Sequence, residues 1–469
     1  MNPVAIRRWS MNRIWILGFL ATTVLLLAFR PTIESSVRAG AVIATVVTLF
    51  SVVSVVRTNP TRPISLGSVY AALFGLFHIG LLIMIAFGFP ARVLDPTDTS
   101  WVLTPGFTTA AFLVAIAQIA MTVGYLVRIR PARVDAELIL PEHGRPQVLT
   151  FADGAAVVGM GLLIIGLMLW ARNVIVGGVS LSGSYPDFLA ATSKTNMPTA
   201  YLMMGFGMGV VSASRWPAVR GSALIAFGVW SVPAFILGLR GEVIIPAAAF
   251  LVVAARRRLI RLRPWMLLAV AGALAVGSAV RVVRRLGVGR GSAALDNLNP
   301  LDGLAELGYS IRPLSVASQA HDQLGEPFVG VATYLAPFRR LIVGRLLGGQ
   351  VTPVADDPAV FGTWILQRVG PIGGSPAAEA YRVGGTIAVI CVMFAIGFLI
   401  ASLDSLRPSL IGNAMIGMLT FVLLLWVRND FTPVPAECLV TIPIAAAIWL
   451  IDKQSSARSR SKPELVRTA

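Results

Sequence analysis

The sequence predicts an all-α, polytopic integral membrane protein of about twelve transmembrane helices, with one long extracytoplasmic loop between the ninth and the tenth. Three observations carry that expectation. Of the 469 residues, 56% are hydrophobic and only 13% are charged, where a soluble chain carries about 25% charged residues. Twelve apolar runs recur along the chain, most of them near the ~20 residues that cross a ~30 Å hydrocarbon core. The stretch from Val283 to Arg382 then interrupts the series with a polar segment dense in Arg, Gly and Pro.

In chain order the runs are Ile14 to Phe29, Ala39 to Val56, Leu66 to Phe89, Phe107 to Val127, Gly154 to Ala171 and Pro198 to Ala213. They continue with Val219 to Leu239, Val243 to Ala255, Pro264 to Val280, Val383 to Leu403, Leu410 to Val427 and Cys438 to Ile451. Lipid offers backbone groups no partners, so each run is expected to be helical. The shortest, Val243 to Ala255, contains Pro246 and is the weakest span. The chain thus divides into membrane helices over residues 1–283, an extracytoplasmic segment over 284–382, further helices over 383–451 and a basic tail over 452–469.

Orientation follows from the 39 basic residues. With Arg7, Arg8 and Arg13 placed in the cytoplasm, the inward loops hold Arg57, Arg128, Arg215, Arg407 and the run Arg256-Arg257-Arg258. The inner side then carries most of the basic residues, as the positive-inside rule requires. Both termini are expected in the cytoplasm, and the long segment on the far side of the membrane. This asymmetry, together with anionic inner-leaflet lipid, also accounts for the net charge of +17, so no nucleic-acid partner is expected. The first span is read as an anchor rather than a cleaved signal, because no small-residue cleavage site precedes Arg30. Cys391 and Cys438 both fall inside apolar runs and read as packing residues, which leaves no disulfide or metal framework.

Three charged clusters fall on the outer side. The first is the hairpin Gly238-Leu239-Arg240-Gly241-Glu242, where flanking glycines let a guanidinium approach an anion; the plainer reading is a hairpin whose arginine snorkels to headgroups. The second is the long segment. It opens with Arg281, Arg284, Arg285 and Arg290 and continues through Glu306, Tyr309 and Arg312 to His321, Asp322 and Glu326. Guanidinium forks suit phosphate oxygens better than lysine does. A segment of this length without disorder-type composition points to function, and Tyr334 to Leu347 has the pattern of an interfacial lid. The third cluster, Gly370-Pro371-Ile372-Gly373-Gly374-Ser375-Pro376-Ala377-Ala378-Glu379-Ala380-Tyr381-Arg382, runs straight into an apolar helix.

That third cluster, a Gly-Gly-Ser followed by Glu-X-Tyr and a further glycine ahead of an apolar helix, resembles the signature of the Wzy-type O-antigen and exopolysaccharide polymerases. Leu239-Arg240-Gly241, Glu306-Leu307-Gly308-Tyr309-Ser310 and Arg428-Asn429-Asp430-Phe431 support the resemblance, which covers about residues 230 to 435. The resemblance implies a membrane glycosyltransferase that polymerises oligosaccharide repeat units linked to polyprenyl diphosphate. It acts on the outer face of the membrane, without a cofactor or metal, beside a possible chain-length regulator. A lipid diphosphate is a good leaving group, so charge neutralisation matters more than a strong acid, and such electrostatic stabilisation can be the largest catalytic contribution.

On that reading Arg240, Arg284, Arg285, Arg312 and Arg428 hold the diphosphate. Glu379 or Glu306 deprotonates or positions the acceptor hydroxyl, and Tyr309, Tyr381 and His321 meet the sugar. Two of these have a plainer alternative: Glu379 as a charge complement to a helix N-terminus, and Tyr381 as an interfacial anchor. A transporter or flippase of lipid-linked sugars is the competing class. Such proteins place ionisable groups midway along spans, whereas here only His78 and Gln118 sit well inside one, and both read as packing residues. A polysaccharide ligase would share the body, the loop and the arginines.

Overall fold

The computed structural model describes residues 3–59, 62–89, 100–129, 153–180, 185–260 and 302–460, and among them every regular element is helical. Seven helices are long and apolar enough to cross a membrane: Val37–Thr58, Leu66–Ala86, Pro105–Arg128, Gly154–Val176, Pro217–Ile236, Pro376–Asp404 and Val434–Gln454. Asn12–Ala28, Met197–Val211 and Leu410–Trp426 are shorter apolar helices. The Val243 to Ala255 run lies in the helix Arg240–Arg256, with Pro246 inside it. The Pro264 to Val280 run, like Arg284 and Arg285, lies outside the described residues. The chain is therefore a multi-pass membrane protein, with seven full-length spans among the described residues where the sequence suggests about twelve.

Large apolar side chains such as Ile164, Met168, Ile225, Val229, Ile387 and Trp449 face outward, as a hydrocarbon surround requires. Inside, small residues let helices approach closely. Gly124 and Gly397 each lie against the backbone of the facing helix where Pro105–Arg128 crosses Pro376–Asp404, and Gly209 meets Gly417 between Met197–Val211 and Leu410–Trp426. With no hydrophobic drive between helices in lipid, such contacts give van der Waals packing its purchase.

Helix ends gather in two clusters. At one side the Asp404 carboxylate accepts from Leu66 N at 3.1 Å, Gly67 N at 2.9 Å and the Tyr125 hydroxyl at 3.1 Å. Arg256 joins it, donating to Asp404 O at 3.1 Å and Asn413 Oδ1 at 3.0 Å. The opposite ends bring Arg240, Ser375, Glu379 and Arg428 into a second cluster, described below.

The expected long loop departs most from a solvated segment. Its described part holds the short helices Asp302–Leu307, Arg312–Ser318, Ala332–Arg339 and Phe361–Val369. The first two are inlaid in the helical body: Ala305, Ile311, Leu314 and Ala317 are buried. Gly80 admits the backbone of Leu304 and Gly308, and Gly106 that of Ser315. Runs of Ala, Gly and Ser at these positions are too small to register as apolar spans, yet they suit close packing.

The Pro376–Asp404 helix starts seven residues before the predicted Val383, with Ser375 as its N-cap and Pro376 in the first turn, a position that lacks a hydrogen-bonding need. It is broken at Gly384 and Gly385, the latter at φ 65° and ψ −153°, a conformation open only to glycine. The carbonyls of Arg382 and Val383 accept from Val329 N and Gly330 N, both at 3.1 Å. The segment preceding that helix thus satisfies backbone groups that the break exposes.

Candidate functional site

The turn before the broken helix sets the site. Gly373 holds φ 81°, Gly374 N donates to Arg428 O at 2.9 Å, and a Cβ on Gly374 would lie 2.7 Å from Asn429 C and Asp430 N. The Gly-Gly pair therefore lets residues 428–431 run directly against the turn. Below it, Ser375 shares a 2.7 Å hydrogen bond with His78 Nε2, and His78 Nδ1 is 2.8 Å from Phe74 O. With one nitrogen donating to that carbonyl, the other accepts from the serine hydroxyl. His78 stacks on Phe74 with centroids 4.2 Å apart. The packing role read for this histidine thus extends to fixing the N-cap of the helix that carries Glu379.

Glu379 is wholly buried. Its Oε2 accepts from Phe431 N at 3.0 Å, while Oε1 makes no hydrogen bond of good geometry, with the Trp426 indole N–H, itself without such a bond, beside the carboxyl. Phe431 in turn sits among aromatic rings, 5.0 Å from Trp426, 5.2 Å from Tyr334 and 6.2 Å from Phe338. One turn on, Arg382 is 3% exposed. It donates to Pro358 O at 2.6 Å and lies 4.7 Å over Trp364, yet its Nε and Nη1 are unpartnered. Residues three apart share a helix face, so an open acceptor and open donors look the same way. Asp430 is held off by its own bonds, to Gly362 N at 3.2 Å and the Thr432 hydroxyl at 2.6 Å.

The hairpin arginine comes to the same end of the body. Arg240 and Glu306 form a 3.0 Å ion pair, with side chains 7% and 15% exposed. The Arg428 guanidinium lies 5.9 Å over Phe77, and a Cβ on Gly241 would sit 3.0 Å from its Nη1. Gly241 thus makes room for a second guanidinium beside the first. Glu306 is the counter-charge of Arg240, which distinguishes it from Glu379 with its open oxygen.

The remaining expected residues form separate patches. Arg312 lies 5.6 Å over Trp101, which meets Tyr309 edge-on at 6.3 Å. Tyr381 points away from Glu379, since two residues along a helix turn it by about 200°. Its hydroxyl bonds the Asp322 carboxylate at 2.6 Å and 2.7 Å. Asp322 also lies 3.9 Å from Arg30. His321 Nδ1 is 2.7 Å from Glu326 O, and its ring stacks on Phe328 at 4.6 Å. Among the described residues no three His, Cys, Asp or Glu side chains are grouped as a metal ion would need.

Sequence reading did not single out Arg382, although the spacing Glu379-X-X-Arg382 was a visible signal for it. The segments that carried the resemblance, 239–241, 306–310, 373–382 and 428–431, all meet at this end of the helical body. A family model described as O-antigen polysaccharide polymerase Wzy matches residues 10–455, extending the likeness over nearly the whole chain. No curated protein and no solved structure matches it.

Proposed function

The chain belongs to the O-antigen polysaccharide polymerase Wzy family, and from that premise we propose that it joins repeat units carried on polyprenyl diphosphate, moving the growing glycan onto a hydroxyl of the next unit. Glu379 Oε1 takes the proton of the acceptor hydroxyl. The freed oxygen attacks the anomeric carbon of the donor glycan, a glycosidic bond forms, and the bond from that carbon to the diphosphate oxygen breaks. The departing lipid diphosphate keeps the electron pair. Arg428 and Arg240 neutralise it, and Arg284, Arg285 and Arg312 are the further candidates for that role. Tyr309, Tyr381 and His321 are assigned to the sugar chain beyond the reacting residue. The reaction occurs at the outer face of the bacterial cytoplasmic membrane, with both termini cytoplasmic and a chain-length regulator as a partner.

One observation carries this reading: a wholly buried carboxylate keeps one oxygen fixed by Phe431 N and the other open, in the cluster that holds Arg428. A buried ionisable group without its full set of partners is costly, and sites of chemistry are where such costs are retained. The test is deletion of the gene in its host, with sizing of lipid-linked and surface polysaccharide. Single units accessible from outside, with the ladder restored by the intact gene, are expected. An unchanged ladder in a strain with no second copy overturns the reading, and units trapped on the inner leaflet point to a flippase.

A further inference from the structure

Residues 331–347 hold three arginines, no acid and a series of large apolar residues. They form the helix Ala332–Arg339 and its wider-wound continuation Arg340–Leu346. One side packs on the helical body: Thr333, Ala336 and Pro337 are buried, and the Tyr334 ring meets Phe431 edge-on at 5.2 Å. The other side is an apolar stripe. Val331, Leu335, Phe338, Ile342 and Leu346 recur every three or four residues, the spacing of one helix face, and each is between 43% and 74% exposed. Arg340 is paired with Asp357 at 2.6 Å. Arg339 and Arg345 stand exposed beside the stripe, and among the described residues neither pairs with an acid.

Two hydrogen bonds fix the depth of this stripe. Val329 N and Gly330 N donate to Arg382 O and Val383 O, both at 3.1 Å, so Val331 starts level with the helix break at Gly384 and Gly385. From that break to Asp404 the helix runs about 30 Å, at about 1.5 Å per residue, which is the thickness of a hydrocarbon core. Ile387, just past the break, is already 75% exposed to the surround. With Asp404 and Arg256 at one border, the break lies at the other, and the stripe begins where hydrocarbon gives way to headgroups. Water would leave the apolar side chains uncovered, and two copies joined symmetrically through the stripe would bring like arginines together. The border of a bilayer supplies both missing partners, acyl chains for the stripe and phosphate oxygens for the guanidiniums.

We propose that residues 331–347 are an interfacial anchor: the stripe enters the acyl boundary of the leaflet on the Glu379 side, and Arg339 and Arg345 bind the phosphates of anionic phospholipid. The anchor also bears on the candidate site. Tyr334 and Phe338 pack against Phe431, and Phe431 N holds Glu379 Oε2, so a helix seated in lipid braces that carboxylate from outside the helical body.

The test uses the purified full-length protein in nanodiscs of phosphatidylcholine with or without phosphatidylglycerol. Cys391→Ala and Cys438→Ala clear the background, so that a single introduced thiol, Leu335→Cys or Leu346→Cys, carries a fluorescent label at an exposed position. Iodide reports access from water, and a nitroxide-bearing lipid reports contact with the bilayer. Both labels are expected to be quenched by the lipid, and by iodide at least about fivefold less than the free dye in buffer. Phosphatidylglycerol is expected to deepen the lipid quenching, and Arg339→Gln with Arg345→Gln to abolish that gain. Iodide quenching as strong as that of the free dye overturns the anchor, and so does shielding from both quenchers, which gives the stripe to a second copy or another protein. An absent gain, or one that persists in the double arginine variant, overturns the part given to anionic headgroups. None of these readouts requires polymer formation, so each is separate from the polymerase reading.

Discussion

Two buried carboxylates at opposite ends of the helical body invite comparison. Asp404 accepts from two backbone amides and a tyrosine hydroxyl, and the arginine beside it, Arg256, is bound to the neighbouring carbonyls and Asn413. Glu379 accepts from one amide and leaves an oxygen open, and the arginine one turn away, Arg382, leaves two nitrogens open. The residue types are the same. What separates them is satisfaction: Asp404 pins helix ends together, whereas Glu379 keeps hydrogen-bonding capacity for a ligand. Burial and charge alone do not mark a site in this protein, but an incomplete set of partners does.

That contrast can be broken by substitution, and the largest effects belong to the open side. Arg428→Gln removes a charge proposed to stabilise the leaving diphosphate, and the polymerisation rate is expected to fall about 10²–10³-fold. A rate within a few fold of wild type would detach Arg428 from the chemistry. Arg240→Gln removes one side of the Arg240–Glu306 ion pair, and breaking a buried pair costs about 3–5 kcal/mol. The double change Arg240→Gln with Glu306→Gln is expected to recover thermal stability in detergent without recovering polymer. Recovery of both would make the pair purely structural.

Gly374→Ala is next, because its Cβ would lie 2.7 Å from the 429–430 backbone and must displace the segment that positions Arg428 and Phe431. A loss of about tenfold in rate, the consequence of a misplacement of reacting groups, is expected with protein level maintained. The smallest effect on activity belongs to the satisfied carboxylate. Asp404→Asn is expected to lower stability by about 1–3 kcal/mol, visible as a reduced melting temperature, while the rate per folded molecule stays unchanged. A rate loss beyond the loss of folded protein would erase the distinction drawn here.

Much of this organisation was legible in the sequence, for a physical reason. Long apolar runs have one stable solution in lipid, so the helices over Val37–Thr58, Pro105–Arg128 or Val434–Gln454 were readable from composition. The inlaid helices at 302–318 were less legible, because Ala305, Gly308 and Ala317 pack by being small rather than by being hydrophobic. The break at Gly384 and Gly385 depends on a backbone conformation that an apolar window does not register. At the site, Arg240, Glu306, Glu379 and Arg428 were visible as charges at span ends. Their different states were not, because the Arg240 to Glu306 pairing spans 66 residues and the open oxygen of Glu379 is a property of three segments together.

The most direct measurement is the polymerisation rate of Glu379→Gln, in membranes of the gene-deleted host at wild-type protein level. The amide keeps the size of the side chain and an acceptor for Phe431 N, and removes only the capacity to take a proton. A rate reduced about 10²–10⁴-fold, the span of general-base contributions, with lipid-linked single units accumulating, is the predicted result. A ladder of wild-type length formed at wild-type rate would contradict the account at its centre.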